Sequence, residues 1–109
     1  MAQRISPQQG LQTLLQGEAL FVDVRDPASH AQARIPGALP LAQSSLERFL
    51  TATRRDQPLV VYCYHGHSSQ AASDYLSEQG FISVLSLDGG FEHWRQAFPE
   101  QVDDHPHAP

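Results

Sequence analysis

Short apolar, β-branched runs alternate along this chain with stretches of helical periodicity, and that alternation restricts the fold more than any other feature. Ala19-Leu20-Phe21-Val22-Asp23-Val24 lies between Gly17 and Pro27, Leu59-Val60-Val61-Tyr62 follows Pro58, and Phe81 to Leu87 follows Gly80. Each is short, apolar and bounded by breakers of regular structure, as a strand buried on both faces requires. Leu39 to Leu41, after the turn Ile35-Pro36-Gly37-Ala38, reads as a further short strand. Helices fill the intervals. Ser6-Pro7-Gln8-Gln9 is a start signal: Ser6 is the N-cap, Pro7 takes the first helical position and Gln9 completes a capping box. Leu11, Leu14 and Leu15 then form an apolar stripe that Gly17 ends. Ser44 or Ser45 caps a helix with Leu46, Phe49 and Leu50 inward, ending near Arg54-Arg55-Asp56. Gln70 to Gln79 carries Ala71, Ala72, Tyr75 and Leu76 on one face, and Asp88-Gly89-Gly90 turns into a last helix with Phe91, Trp94 and Phe98. The expected fold is α/β: a mainly parallel sheet with helices on both faces.

A chain of 109 residues suffices for one core, and no internal repeat is present. Residues 1–100 are read as one domain and 101–109 as a tail, with the polar, Pro-containing stretch from Asp103 to Pro109 expected to be disordered. All seven cationic side chains are Arg, scattered from Arg4 to Arg95 in a chain of formal charge −5, so no basic patch for nucleic acid is expected. No apolar run nears the roughly 20 residues that span a bilayer, and no apolar segment follows Arg4. The expectation is a cytoplasmic protein without a membrane role.

The single cysteine, Cys63, stands at the carboxyl end of the Leu59–Tyr62 run, where parallel sheets bind their ligands. After it come Tyr64-His65-Gly66-His67-Ser68-Ser69 and a helix. Such a loop can curl so that successive N–H groups point inward, with Gly66 giving the backbone freedom needed. The helix start adds free N–H groups and the positive end of its dipole, which favour thiolate over thiol. Cys63 is therefore expected to be an acidic nucleophile in an anion cradle.

The segment VVYCYHGHSSQAASDYLSEQGF, with SLDGGFEHW after it and LFVDVRDPASHAQARIPGA before it, resembles the single-domain rhodaneses from about Ile5 to Pro99. The resemblance implies a thiosulfate sulfurtransferase. In that chemistry the Cys63 thiolate takes the outer sulfur of thiosulfate, sulfite leaves, and cyanide, a thiol or a thioredoxin-like dithiol protein removes the sulfur from the Cys63 persulfide. It further implies that N–H groups from Tyr64 to Ser68 (Tyr64, His65, Gly66, His67, Ser68) stabilise the anions, with no metal or organic cofactor. Many family members place Arg or Lys after the cysteine, where this chain has Tyr64, His65 and His67, so weak thiosulfate binding is expected. Ala33-Arg34 replace the usual Gly-His before Ile-Pro-Gly-Ala, in a segment read as structural.

Blander readings compete at each position. A lone cysteine at a strand end is usually a small core residue; the Gly-bearing polar loop and helix start tip Cys63 towards nucleophile. His65 and His67 could join it at a metal, but no fourth ligand has suitable spacing and His105 and His107 lie in the tail, so no metal is expected. The two loop histidines are read as bystanders rather than as cations facing a sulfonate. Asp23 and Arg25, which the family places at the cradle's edge, are read as mainly structural. Phe91 and Trp94 read as core and Asp88-Gly89-Gly90 as a turn. Two other functions compete with this one. Related cysteine phosphatases carry an Arg where this chain has Ser69, and without it nothing in the loop clamps phosphate in bidentate fashion. A sulfur-relay or redox-sensing module working with protein partners would keep Cys63 yet show little thiosulfate activity.

Overall fold

The computed structural model describes residues 2–106. Its sheet is formed by β1 (Gln3–Ile5), β2 (Leu20–Asp23), β3 (Leu39–Pro40), β4 (Leu59–Tyr62) and β5 (Val84–Leu87), in the order β1-β5-β4-β2-β3. Every pairing is parallel. Helices α1 (Pro7–Gln16), α2 (Pro27–Gln32), α3 (Leu46–Ala52), α4 (Ser68–Glu78) and α5 (Gly90–Ala97) make the connections.

The side-chain period of two in the strands divides the core. Phe21, Val60, Tyr62 and Leu87 face one side with Phe91 and Trp94 of α5 and, partly buried, Leu11 and Leu14 of α1. Val22, Leu59, Val61 and Val84 face the other, against Phe49 of α3 and Leu76 of α4. The expected arrangement of helices on both faces holds. β4 is central, and the chain leaves β2 towards β3 but β4 towards β5. Strand order therefore reverses between β2 and β4, the place beyond the carboxyl ends of the strands where open parallel sheets hold their ligands.

The first helix forms as its sequence specifies. Ser6 Oγ accepts from Gln9 N–H at 3.1 Å, the Gln9 side chain closes the box, and Gly17 ends the helix at φ 77°. Other boundaries shift for identifiable reasons. β5 starts at Val84 rather than Phe81, because Gly80 N–H bonds Ser77 O and Phe81 N–H bonds Leu76 O, folding the chain back over the end of α4. Phe81 is thereby buried against Phe49, with ring centroids 5.8 Å apart. Ser45 takes the N-cap position of α3, one of the two serines expected there, but makes no side-chain cap: a 3-10 turn at Gln43–Ser45 precedes that helix, and the Ser45 hydroxyl bonds Ala42 instead. α4 begins at Ser68, two residues earlier than its apolar face suggested.

β1 and α2 go beyond the sequence reading. β1 buries only Ile5, and α2 is a short helix with Asp26 as N-cap, its carboxylate accepting from Ser29 N–H. The carboxyl end also departs from expectation. Asp103 exchanges two backbone hydrogen bonds with Arg34, Trp94 Nε1–H donates to Gln101 O, and Arg34 donates to Asp103 Oδ2 and His105 O. Gln101 is thus fastened to the domain by the Trp94 indole, and Asp103 and His105 by the Arg34 guanidinium, whose side chain is 5% exposed, while His107 to Pro109 of the expected tail lie outside the described residues. No helix among the described residues is long and apolar enough to cross a membrane.

Candidate active site

Cys63 follows β4 directly, at the strand-order reversal, and is 4% exposed. The chain then curls around its sulfur. Gly66 N–H lies 3.2 Å from Sγ and Ser69 N–H 3.3 Å, while the thiol itself points at Ser69 Oγ, 3.3 Å away. Burial pushes the Cys63 thiol up, but the Ser69 hydroxyl and the N–H groups of Ser69, Gly66 and His65 outweigh it, and the thiol lies below its ordinary value. Ser69 stands in the first turn of α4, so the sulfur faces the positive end of that helix.

The curl depends on Gly66 and on the Gly89-Gly90 pair beneath it. Gly66 has φ 90°, and a Cβ there would meet Gly89 N at 2.9 Å. Gly90, at φ 61°, sits so close beneath the loop that a Cβ would lie 2.5 Å from the Tyr64 carbonyl. That approach lets the start of α5 bind the loop's carbonyls: Phe91 N–H donates to Cys63 O at 2.8 Å and Glu92 N–H to Tyr64 O at 3.0 Å. With these carbonyls held from behind, the loop's N–H groups are left to face the sulfur. Asp88-Gly89-Gly90 is a turn, as expected, and it is also the floor of the cradle.

The remaining loop residues separate by role. Tyr64 turns away from the sulfur, and its hydroxyl bonds the Asp26 carboxylate and Ser29 Oγ on α2. The Tyr64 hydroxyl, the Ser29 hydroxyl and the Ser29 N–H, all donating to it, hold the Asp26 carboxyl at about 2. His65, His67 and Ser68 are exposed. In the resting thiol the N–H groups of Gly66 and Ser69 bond Sγ, and that of His65 also favours the thiolate. Ser69, absent from the residues expected at the site, contributes both an N–H and a hydroxyl; its position at the first turn of a helix was the signal for it.

Asp23 and Arg25 form a buried pair, with Arg25 Nη2 2.7 Å from Asp23 Oδ2. Arg25 also donates to Ala33 O at 2.6 Å and lies 4.3 Å from the centre of the Phe91 ring. Its Nε and Nη2 are both bonded within the domain, which supports the structural reading. Two surface hollows lie on the α3 side and neither includes Cys63; at the cradle the N–H groups converge on one sulfur, an arrangement suited to one small anion. Among the described residues no cluster of three His, Cys, Asp or Glu side chains could hold a metal.

Comparison with known proteins agrees with this geometry. Residues 6–97 match the Rhodanese-like domain. The chain is 52% identical over 99 residues to the Thiosulfate sulfurtransferase GlpE of Ectopseudomonas mendocina, covering 91% of this chain and 90% of that protein. It is 49% identical over 100 residues to that of Stutzerimonas stutzeri, covering 92% and 91%. Among solved structures, the Rhodanese-like domain of the Anabaena protein Alr3790 superposes with a TM-score of 0.83 at 22% identity, over 96% of this chain and 81% of that one. The reduced Bacillus anthracis CoADR-RHD superposes at 0.80 and 24% identity, over 93% of this chain and 18% of that one. Since the match runs through the sheet, the Cys63 loop and the helix that underlies it, the chain belongs to the rhodanese family.

Proposed function

We propose that this protein is a thiosulfate sulfurtransferase that carries sulfur as a persulfide on Cys63. The observation that carries the proposal is the ring of donors around a buried thiol held below its ordinary pKa; relatives half identical to the chain bear the name of that activity. In the first half-reaction Sγ attacks the outer sulfur of thiosulfate. A new S–S bond forms, the sulfur–sulfur bond of thiosulfate breaks, and sulfite leaves with the electron pair. In the second, the carbon of cyanide, or a thiolate, attacks the outer sulfur of the persulfide and the pair returns to Cys63. Each half-reaction places negative charge where the Gly66 and Ser69 N–H groups converge.

With Arg25 bound to Asp23 and only His65 and His67 as potential cations in the loop, thiosulfate is held mainly by backbone donors, and its affinity is low. Thiols or a thioredoxin-like dithiol protein serve as acceptors, in the cytoplasm, with no part for nucleic acid or membrane. The test is a thiocyanate assay on wild type and Cys63→Ala, joined to mass measurement after incubation with thiosulfate. Wild type gains one sulfur atom and gives parallel double-reciprocal lines at several cyanide concentrations; Cys63→Ala does neither. Turnover by Cys63→Ala would overturn the assignment. Absence of turnover in both would favour a relay fed by a protein persulfide.

A further inference from the structure

Ser86 lies in β5 on the face that packs against α4, where Val84, its neighbour on that face, joins the apolar core. It is 1% exposed, and burying a hydroxyl costs free energy unless it is hydrogen bonded. Its partner is Ser69 Oγ at 2.8 Å, fully buried, which in turn is 3.3 Å from Cys63 Sγ. Three side chains from β5, α4 and the end of β4 thus make one buried chain of polar atoms that ends on the sulfur.

We propose that Ser86 is a positioning residue for sulfur transfer: it orients the Ser69 hydroxyl so that this group donates to the Cys63 sulfur whenever that sulfur is negatively charged. The proposal rests on the reading of Cys63 as the sulfur carrier. Each serine has one proton to give and lone pairs to accept with. In the resting thiol, the S–H donates to Ser69 Oγ and the Ser69 proton turns to Ser86. Once the thiol proton is lost, the Ser69 hydroxyl turns to the sulfur, and Ser86 donates to Ser69 in its place. No proton is transferred between the serines; two hydroxyls rotate, and every member of the chain stays bonded in both states. Bonds in such a chain polarise one another, so the donor on Ser86 strengthens the one on Ser69. The same alignment serves the second half-reaction, when the electron pair of the broken S–S bond returns to Sγ.

The experiment is the pH dependence of iodoacetamide alkylation of the resting protein. Ser86→Ala is expected to raise the midpoint by about half a pH unit, roughly a threefold loss of thiolate below the midpoint. Ser86→Thr, which keeps the hydroxyl, is expected to retain the wild-type midpoint. In a Ser69→Ala background, Ser86→Ala is expected to add nothing, because Ser86 acts through Ser69. That double variant leaves no hydroxyl orphaned, and so carries the comparison even if Ser86→Ala alone weakens the fold. A wild-type midpoint in Ser86→Ala, equal shifts in Ala and Thr, or a full additional shift in the Ser69→Ala background would each overturn the proposal. No sulfur donor enters this titration. A failure of Cys63 to take up sulfur is read separately, as the absence of a mass gain.

Discussion

Replacing Gly90 by alanine tests whether α5 builds the cradle or merely lies beneath it. The added Cβ would stand 2.5 Å from the Tyr64 carbonyl carbon and oxygen and 2.6 Å from His65 N, so loop and helix must separate by roughly 0.9 Å to reach ordinary contact. Two costs follow. Alanine in the left-handed region loses about 1–2 kcal/mol, and the overpacked contact loses about 1–3 kcal/mol more. For a domain of this size that lowers Tm by roughly 10–20 °C. The effect on activity has a different origin. Moving the loop shifts the Gly66 N–H relative to Sγ, and a displacement near 1 Å at such a site costs about 100-fold. Thiocyanate formation, measured well below the Tm of the variant, should therefore fall by about 30- to 100-fold in kcat/KM. Gly37→Ala is the control: its φ is 77° but nothing lies within 4 Å of the added Cβ, so it should lose about 1 kcal/mol of stability and no activity. A folded Gly90→Ala with kcat/KM near wild type, or a Gly37→Ala equally inactive, would refute the reasoning.

Further outcomes concern charge and anchoring. The Cys63 thiol is depressed in the folded protein, so wild type should gain stability over Cys63→Ala as pH rises from the folded pKa towards about 9, where an unfolded cysteine ionises too; paired urea titrations check this. Because the Asp26 carboxyl is lowered from 3.8 to about 2, the stabilisation it receives from Tyr64 and Ser29 is complete above 3.8 and disappears as pH falls through 2. The Tm difference between wild type and Asp26→Asn should accordingly be constant from neutral pH down to about 5 and then close. Arg34→Ala breaks the buried bonds to Asp103 and to His30 and His105 carbonyls, so it should cost about 2–4 kcal/mol in urea unfolding while kcat/KM stays unchanged.

What the sequence disclosed depended on how far apart the cooperating residues lie. The buried strands and the Ser6 capping box are local signals, and they formed near their expected places. β1 escaped because an edge strand with one buried residue shows no period, and α2 because six residues barely complete a helical pattern; the Asp26-Pro27 cap was its one local sign. At the site, Cys63 and Gly66 were legible because strand end, glycine and helix start are contiguous. The floor was not, since Gly90 meets Tyr64 across a tertiary contact, and the Tyr64 latch to Asp26 spans 38 positions. Ser86 is a polar residue inside an apolar strand, an inconsistency that acquires a reason only when α4 brings Ser69 to it.

The depth of Cys63 also sorts reagents by width. With 4% of the residue exposed, the resting sulfur sits below the protein surface, open to slender groups and shielded from bulky ones. Under the proposed mechanism, loading would add one S–S bond, about 2 Å of reach, and move the reactive atom away from the Cys63 backbone. The unloaded protein should thus resist bulky disulfides and maleimides that the loaded one meets freely, and a protein acceptor of the proposed kind would need only a protruding thiol. In that proposed cycle sulfur itself would be the extension that lets the two surfaces touch.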